Sequence, residues 1–207
     1  MKLRWIQPTL FAAALMSAGG VCAQQTDTNW MIRVRAIDII PDKSSDAGVL
    51  AQDAVTLNNV VAPEVDISYF FTKNIAAELI LTYPQQHDVN LAGTGKIGTV
   101  KHLPPTLTLQ YHFLPDAQFQ PYIGAGLNFT KFSSANIAGG TLGVDSSSTG
   151  GALQAGIDIK LTSNMYLNFD IKKVWIGTDV KNLATGAKLT HLNLNPWLPG
   201  VGLGWRF

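Results

Sequence analysis

Cysteine is almost missing from this chain: the only one, Cys22, closes an apolar leader. The part that follows can hold no disulfide framework, no thiolate nucleophile and no Cys-based metal site. Charge is also scarce, at 14% of residues, and the 15 basic and 14 acidic groups nearly cancel. That balance argues against nucleic acid or another polyanion as a partner. Beyond Gln24 no run reaches the ~18 apolar residues of a membrane-spanning helix. No long stretch carries a 3,4 apolar period with caps either, so a helical bundle is excluded.

What is there begins with Lys2 and Arg4, an apolar run over 9–18, and the small-residue end Val21-Cys22-Ala23. This order predicts a signal peptide over 1–23, cleaved after Ala23, and a single domain over 24–207. The apolar run is about half the length of a spanning helix. Val21 is too bulky for the residue that normally precedes a lipidated cysteine.

Period-two alternation dominates the remainder. At the end of the chain Val201, Leu203, Trp205 and Phe207 alternate with Gly200, Gly202, Gly204 and Arg206. Seven further runs behave alike, over about 30–37, 64–71, 75–83, 105–113, 121–132, 153–161 and 165–175. Eight runs of about ten residues have the length that a tilted strand needs to cross a bilayer. Short connections at 72–74, 114–118 and 162–164 alternate with longer polar ones at 41–60, 87–101, 133–148 and 178–188. Short periplasmic turns and long outer loops are the asymmetry of an outer-membrane barrel, with both termini periplasmic. Trp197, Trp175 and Tyr83 stand about eight to ten residues above the opposite strand ends. That separation gives roughly 19–23 Å of height, near the ~25 Å between aromatic girdles. Phe71, Phe113, Tyr166, Trp205 and Phe207 form the expected lower girdle.

A soluble ligand-binding barrel would alternate in the same way but hide its apolar face. Here the apolar faces carry Leu, Ile, Tyr, Phe and Trp, and the opposite faces carry Gly, Ala, Thr, Asn, Gln and the charges. An eight-stranded interior has room only for packed side chains or one small ligand. The bulky faces therefore belong against lipid, and the expected fold is all-β: an eight-stranded antiparallel transmembrane β-barrel, up-and-down. The inward set is then Arg33, Arg35, Lys160 and Lys172 against Glu64, Asp66, Glu78, Asp158 and Asp170. Their near balance reads either as an ion path or as a self-neutralising network that fills the lumen. Ile80, Leu194 and Leu198 add apolar lumen surface, provided no bulge at Pro196 reverses the last strand.

The chain resembles the outer membrane protein W family of Gram-negative bacteria. The resemblance rests on Asn74-Ile-Ala-Ala-Glu-Leu79, His102-Leu-Pro-Pro-Thr-Leu-Thr-Leu-Gln-Tyr111, Pro121-Tyr-Ile-Gly-Ala-Gly-Leu-Asn128 and the end from Asn195-Pro-Trp197 to Trp205-Arg-Phe207. It implies location in the outer membrane, a narrow lumen with apolar parts, and binding or passage of small hydrophobic molecules. Lateral release into the bilayer is compatible with a barrel this narrow. The resemblance also implies that Leu203, Trp205 and Phe207 form a carboxy-terminal signal read by the barrel assembly machinery. Lys172 and Lys173 depart from it, since the same strand is more apolar in similar proteins. The expected partners are the lipid bilayer, small hydrophobic molecules and that machinery, with the protein itself a monomer.

Two other classes compete. A structural or surface-recognition barrel would use its outer loops as a receptor for a phage, bacteriocin or host surface. A hydrolase would need a nucleophile, base and acid converging at one rim. His87, His102, His112 and His191 are present, and His87 with His102 could hold a metal, but no nucleophile motif accompanies them. The reading is therefore no enzyme, no cofactor and no resident metal.

Overall fold

The computed structural model describes residues 29–42, 44–46 and 54–207. The leader expected over 1–23 lies outside them. Fifteen strands occur among the described residues. The first five are β1 (Trp30–Ile39), β2 (Ser44–Ser45), β3 (Val55–Leu57), β4 (Val60–Phe70) and β5 (Ile75–Thr82). Next come β6 (Gln85–Leu91), β7 (Gly95–Leu103), β8 (Thr106–His112), β9 (Phe119–Ile137) and β10 (Leu142–Val144). The last five are β11 (Ser147–Lys160), β12 (Met165–Val174), β13 (Gly177–Asn182), β14 (Lys188–Asn193) and β15 (Trp197–Arg206).

Eight of these close a ring of antiparallel ladders in the order β1, β4, β5, β8, β9, β11, β12, β15 and back to β1. The seam pairs Arg33 with Gly204 and Arg35 with Gly202. Closure satisfies the backbone of the last strand, which would otherwise be an open edge. Alternation then sorts the side chains. Leu127 is 70% exposed on the outer wall, while Arg33 inside is 0% exposed.

One end of the barrel carries the short turns. In two of them a threonine hydroxyl closes the turn: Thr72 Oγ1 accepts from the backbone of Asn74 and Ile75 at 3.2 and 3.0 Å. Thr162 Oγ1 likewise accepts from Met165 at 3.1 Å. Such side-chain acceptance is what favours Thr and Asn in tight turns. Trp30, Tyr69 and Phe71 stack edge-to-face on the outer wall here, as do Tyr111 and Phe113. Tyr166, expected in this girdle, is instead buried, where it packs with Met31, Phe70 and Ala76.

At the other end, the stretches expected as polar loops are largely strands. β6 and β7 form a hairpin, β7 and β10 pair with the upper part of the long β9, and β10, β13, β14 and β2 continue side by side. β3 pairs with the far side of β6. This second tier stands on the barrel like a collar. Its strands also alternate: Gln85, His87 and Val89 are buried on β6, and Thr178 and Val180 on β13. The polar residues between them face outward, which is why the segments read as loops.

One place in the wall lacks a ladder. β5 and β8 pair from Ile75–Tyr111 up to Ile80–Thr106, and the next pair above is Gln85–His102. Between them residues 81–84 make no ladder pair with 103–105 among the described residues, although Leu81 and Thr82 still pair with Val65 and Glu64 on β4 and Leu103 with Lys131 on β9. Pro84, Pro104 and Pro105 fall here, and proline has no backbone donor to offer.

Candidate functional site

The interior divides into three layers. Nearest the turns, Met31, Phe70, Ala76 and Tyr166 form a buried apolar seal, and the Arg206 guanidinium lies 4.0 Å from the centre of the Phe70 ring.

Above the seal lies a plug of charged groups. Arg33 takes Asp158 in a two-pronged grip at 3.2 and 2.6 Å. It also donates to Ser68 at 2.7 Å and Glu78 at 2.9 Å. Arg35 reaches Glu64 and Asp66, both at 3.2 Å, and Glu78 at 3.1 Å. Lys172 bridges Glu64 at 2.6 Å and Asp170 at 2.9 Å. Neutral donors complete the network. Tyr122 Oη donates to Asp170 at 2.7 Å, Gln154 Nε2 to Glu78 and Asp170 at 2.9 Å each, and Asn168 Nδ2 to Asp158 at 2.8 Å.

Register and glycine make the plug possible. Arg33 and Arg35 sit directly opposite Asp66 and Glu64 on β4. On the other flank a Cβ at Gly204 would come 2.6 Å from Met31 Cε and 3.1 Å from Arg33 Cγ. At Gly156 a Cβ would meet the Tyr122 ring at 2.4 Å. The small face of these strands is therefore the space that the long side chains of their neighbours fill.

Arg33, Arg35, Glu64, Asp66, Glu78, Asp158, Asp170 and Lys172 thus meet in one cluster, with every member buried. Lys160 does not join them. It lies exposed at the turn end of β11, beyond the reach of the plug. Alternation fixes the face of a residue but not its height, so Lys160 is corrected to the rim. Lys173, the residue after Lys172, points outward, pairs with Asp42 at 3.0 Å and lies over the Trp197 ring at 5.1 Å.

The third layer is apolar. Ile37, Ile39, Ala62, Val174 and Leu198 on the barrel strands, with Ile176 just past β12, join Val89, Val100, Phe132, Val180, Leu192 and Leu194 above them in one buried cluster. Within it lies a cavity of about 140 Å³, lined by Val55, Val89, Val100, Phe132, Val180, Leu192 and neighbours, with Thr178 the sole hydroxyl. Leu194 lines this cavity, whereas Leu198 and Ile80 lie lower, around a void of about 20 Å³ above the plug. Leu192, Leu194, Pro196 and Leu198 are all buried, so the parity counted from Phe207 carries past Pro196. Leu203, Trp205 and Phe207 face outward at the turn end.

Sequence reasoning missed the collar half of this chamber, Val89, Val100, Phe132, Ile137 and Val180, together with the neutral plug members Ser68, Gln110, Gln154 and Asn168. The spacing of His87, Val89 and Leu91, and of Thr178 and Val180, was the available signal. His87 and His102 stack at 4.9 Å between chamber and plug. Burial pushes the pKa of His102 down to about 3 and lowers that of His87, so both rings are neutral at pH 7. Among the described residues no group of three metal-ligating side chains gathers.

A closed barrel with a bulky apolar outer wall and a buried polar interior defines an integral membrane protein that crosses the bilayer with strands. The comparisons make this particular. The OmpW family pattern matches residues 26–207, and the chain belongs to that family. It is 33% identical to outer membrane protein W of Vibrio cholerae over 94% of this chain and 95% of that one. An uncharacterized outer-membrane protein, y4mB, of Sinorhizobium fredii is 38% identical over 86% of this chain and 80% of its own length. The crystal structure of the outer membrane protein OprG from Pseudomonas aeruginosa superposes with a TM-score of 0.74 at 27% identity, covering 87% of this chain and 96% of that one. The protein is accordingly an outer-membrane barrel of a Gram-negative bacterium.

Proposed function

We propose that the collar chamber binds small hydrophobic molecules and that they leave sideways into the bilayer, not along the barrel axis. The observation that carries this reading is the stacking of an apolar cavity on a buried, ion-paired plug. A cavity of about 140 Å³ matches the ~150 Å³ that holds a benzene-sized molecule in an apolar protein site. Below it the plug leaves no apolar path, since a hydrocarbon there would displace hydrogen bonds between buried charges. The break in the ladder between 81–84 and 103–105 offers the shortest way out, at the level between chamber and plug. In this reading the turn end and both termini face the periplasm, the collar faces outward, and the barrel acts as a monomer. Leu203, Trp205 and Phe207 serve as the mark for the assembly machinery.

The test is equilibrium binding of toluene to the full protein in lipid nanodiscs, repeated with Val180→Trp, which fills the cavity. Binding by the wild type that falls at least about tenfold in the variant supports the reading. Equal binding by both proteins, or none by either, refutes it.

A further inference from the structure

The small void above the plug is apolar on one side and polar on the other. Ile39, Ile80, Ile176 and Leu198 form its apolar side. Glu64, Thr82, His102, Thr106 and Lys172 form the other. Lys172 is engaged by Glu64 and Asp170, and the Thr106 hydroxyl donates to the Pro104 carbonyl. The remaining groups leave three buried polar atoms with no hydrogen-bond partner: Glu64 Oε2, Thr82 Oγ1 and His102 Nδ1. Native interiors leave few such atoms unpaired, and three around one void call for an explanation.

Their chemistry is one-sided. Glu64 Oε1 is held by Lys172 and Arg35, and Oε2 is left as an unpaired acceptor facing the void. A neutral imidazole presents one acceptor nitrogen, and a threonine hydroxyl both accepts and donates. The cluster is thus poised for a donor. At about 20 Å³, the void exceeds the ~10–15 Å³ that a water-sized group requires, so it takes one hydroxyl or amine and no more. His102 also lies 6.2 Å from Phe132, a wall of the larger cavity, and the void touches Pro104 at the break in the ladder.

We infer that the void formed by Glu64, Thr82 and His102 is a polar-group subsite, and that the protein favours apolar molecules carrying one hydroxyl or amine over plain hydrocarbons. This rests on the reading of the chamber as a site for small hydrophobic molecules. The ring or chain occupies the apolar chamber, and its single O–H or N–H reaches down to the three acceptors beside the wall gap. Carboxylates are disfavoured, because at pH 7 they bring no donor to these acceptors.

The experiment compares toluene, phenol and benzoate on the full protein in nanodiscs, each corrected for its partition into empty nanodiscs. Phenol is expected to bind about tenfold tighter than toluene, the worth of one to two hydrogen bonds, and benzoate more weakly than phenol. Thr82→Val and, separately, His102→Phe should bring the phenol-to-toluene ratio close to one, whereas Thr82→Ser should keep it. A wild-type ratio near one overturns the subsite while leaving the chamber intact, and means that the void holds only water. A ratio that survives both variants overturns it as well. If neither toluene nor phenol binds, the chamber reading fails and the subsite falls with it.

Discussion

The lower and upper halves of the interior share several barrel strands and could hardly differ more. On β1 the inward residues run Arg33, Arg35, then Ile37, Ile39. On β12 they run Asp170, Lys172, then Val174, with Ile176 just beyond the end of the strand. On β4 Asp66 and Glu64 give way to Ala62, and on β15 Gly202 gives way to Leu198. Each strand changes character at a similar height, and the plug ends where the chamber begins. A barrel of eight strands cannot keep a water-filled bore, so its interior must be packed. A dense network of ion pairs and hydrogen bonds packs the part inside the membrane. The collar, standing beyond the apolar band of the outer wall, is free to enclose an apolar space instead. The floor of the site is thus polar and ion-paired, and its walls are apolar.

The largest effect should come from breaking the lower half. Arg33→Met strips Asp158 and Glu78 of a shared cation, and an uncompensated buried charge costs about 3–5 kcal/mol. The urea midpoint of the refolded barrel should drop accordingly; a change under ~1 kcal/mol would mean that the plug contributes little. In the upper half Leu192→Ala removes a buried wall residue, at about 2–4 kcal/mol. That loss should be local, read as faster amide exchange in β13 and β14 with β1 and β15 unchanged. If all strands exchanged faster together, the two halves would be one cooperative unit.

Acid sharpens the same contrast. With His87 and His102 both lowered by burial, an opened collar binds protons below about pH 6.5 that the closed one does not. The closed form is therefore fully favoured above that pH and loses stability as pH falls toward 3, where His102 itself protonates. Asp88, beside His87, works slightly against this. Methyl resonances of Val89 and Val100 should broaden between pH 6.5 and 4 while those of Val34 and Val65 on the outer wall stay sharp. The smallest effect belongs to the turn end. Lys73→Ala removes an exposed ion pair to Asp116 and should shift stability by less than about 0.5 kcal/mol.

Much of the lower half was legible in the sequence because strand parity and bilayer thickness both constrain it. Arg33 and Asp158 lie 125 positions apart, yet alternation alone puts both inside. Parity could not place Lys160, whose strand ends at the rim, and it counted Tyr166 in a girdle although its own spacing from Asn168 turns it inward. The collar was hidden for a different reason. Its strands are short, pair across long sequence distances such as Gly98 with Ile137, and present polar residues outward to water, so no bilayer enforces a bulky outer face. The cluster at Glu64, Thr82 and His102 is more distant still from sequence. It arises where a ladder stops, and no local pattern announces that.

The most direct test is a set of intermolecular NOEs from toluene to methyl-labelled, otherwise deuterated protein. The account predicts contacts to Val100, Val180, Leu192 and Leu194 and none to Met31 in the seal below the plug. Contacts to Met31, or contacts confined to the outer wall at Leu127 and Leu153, would contradict it.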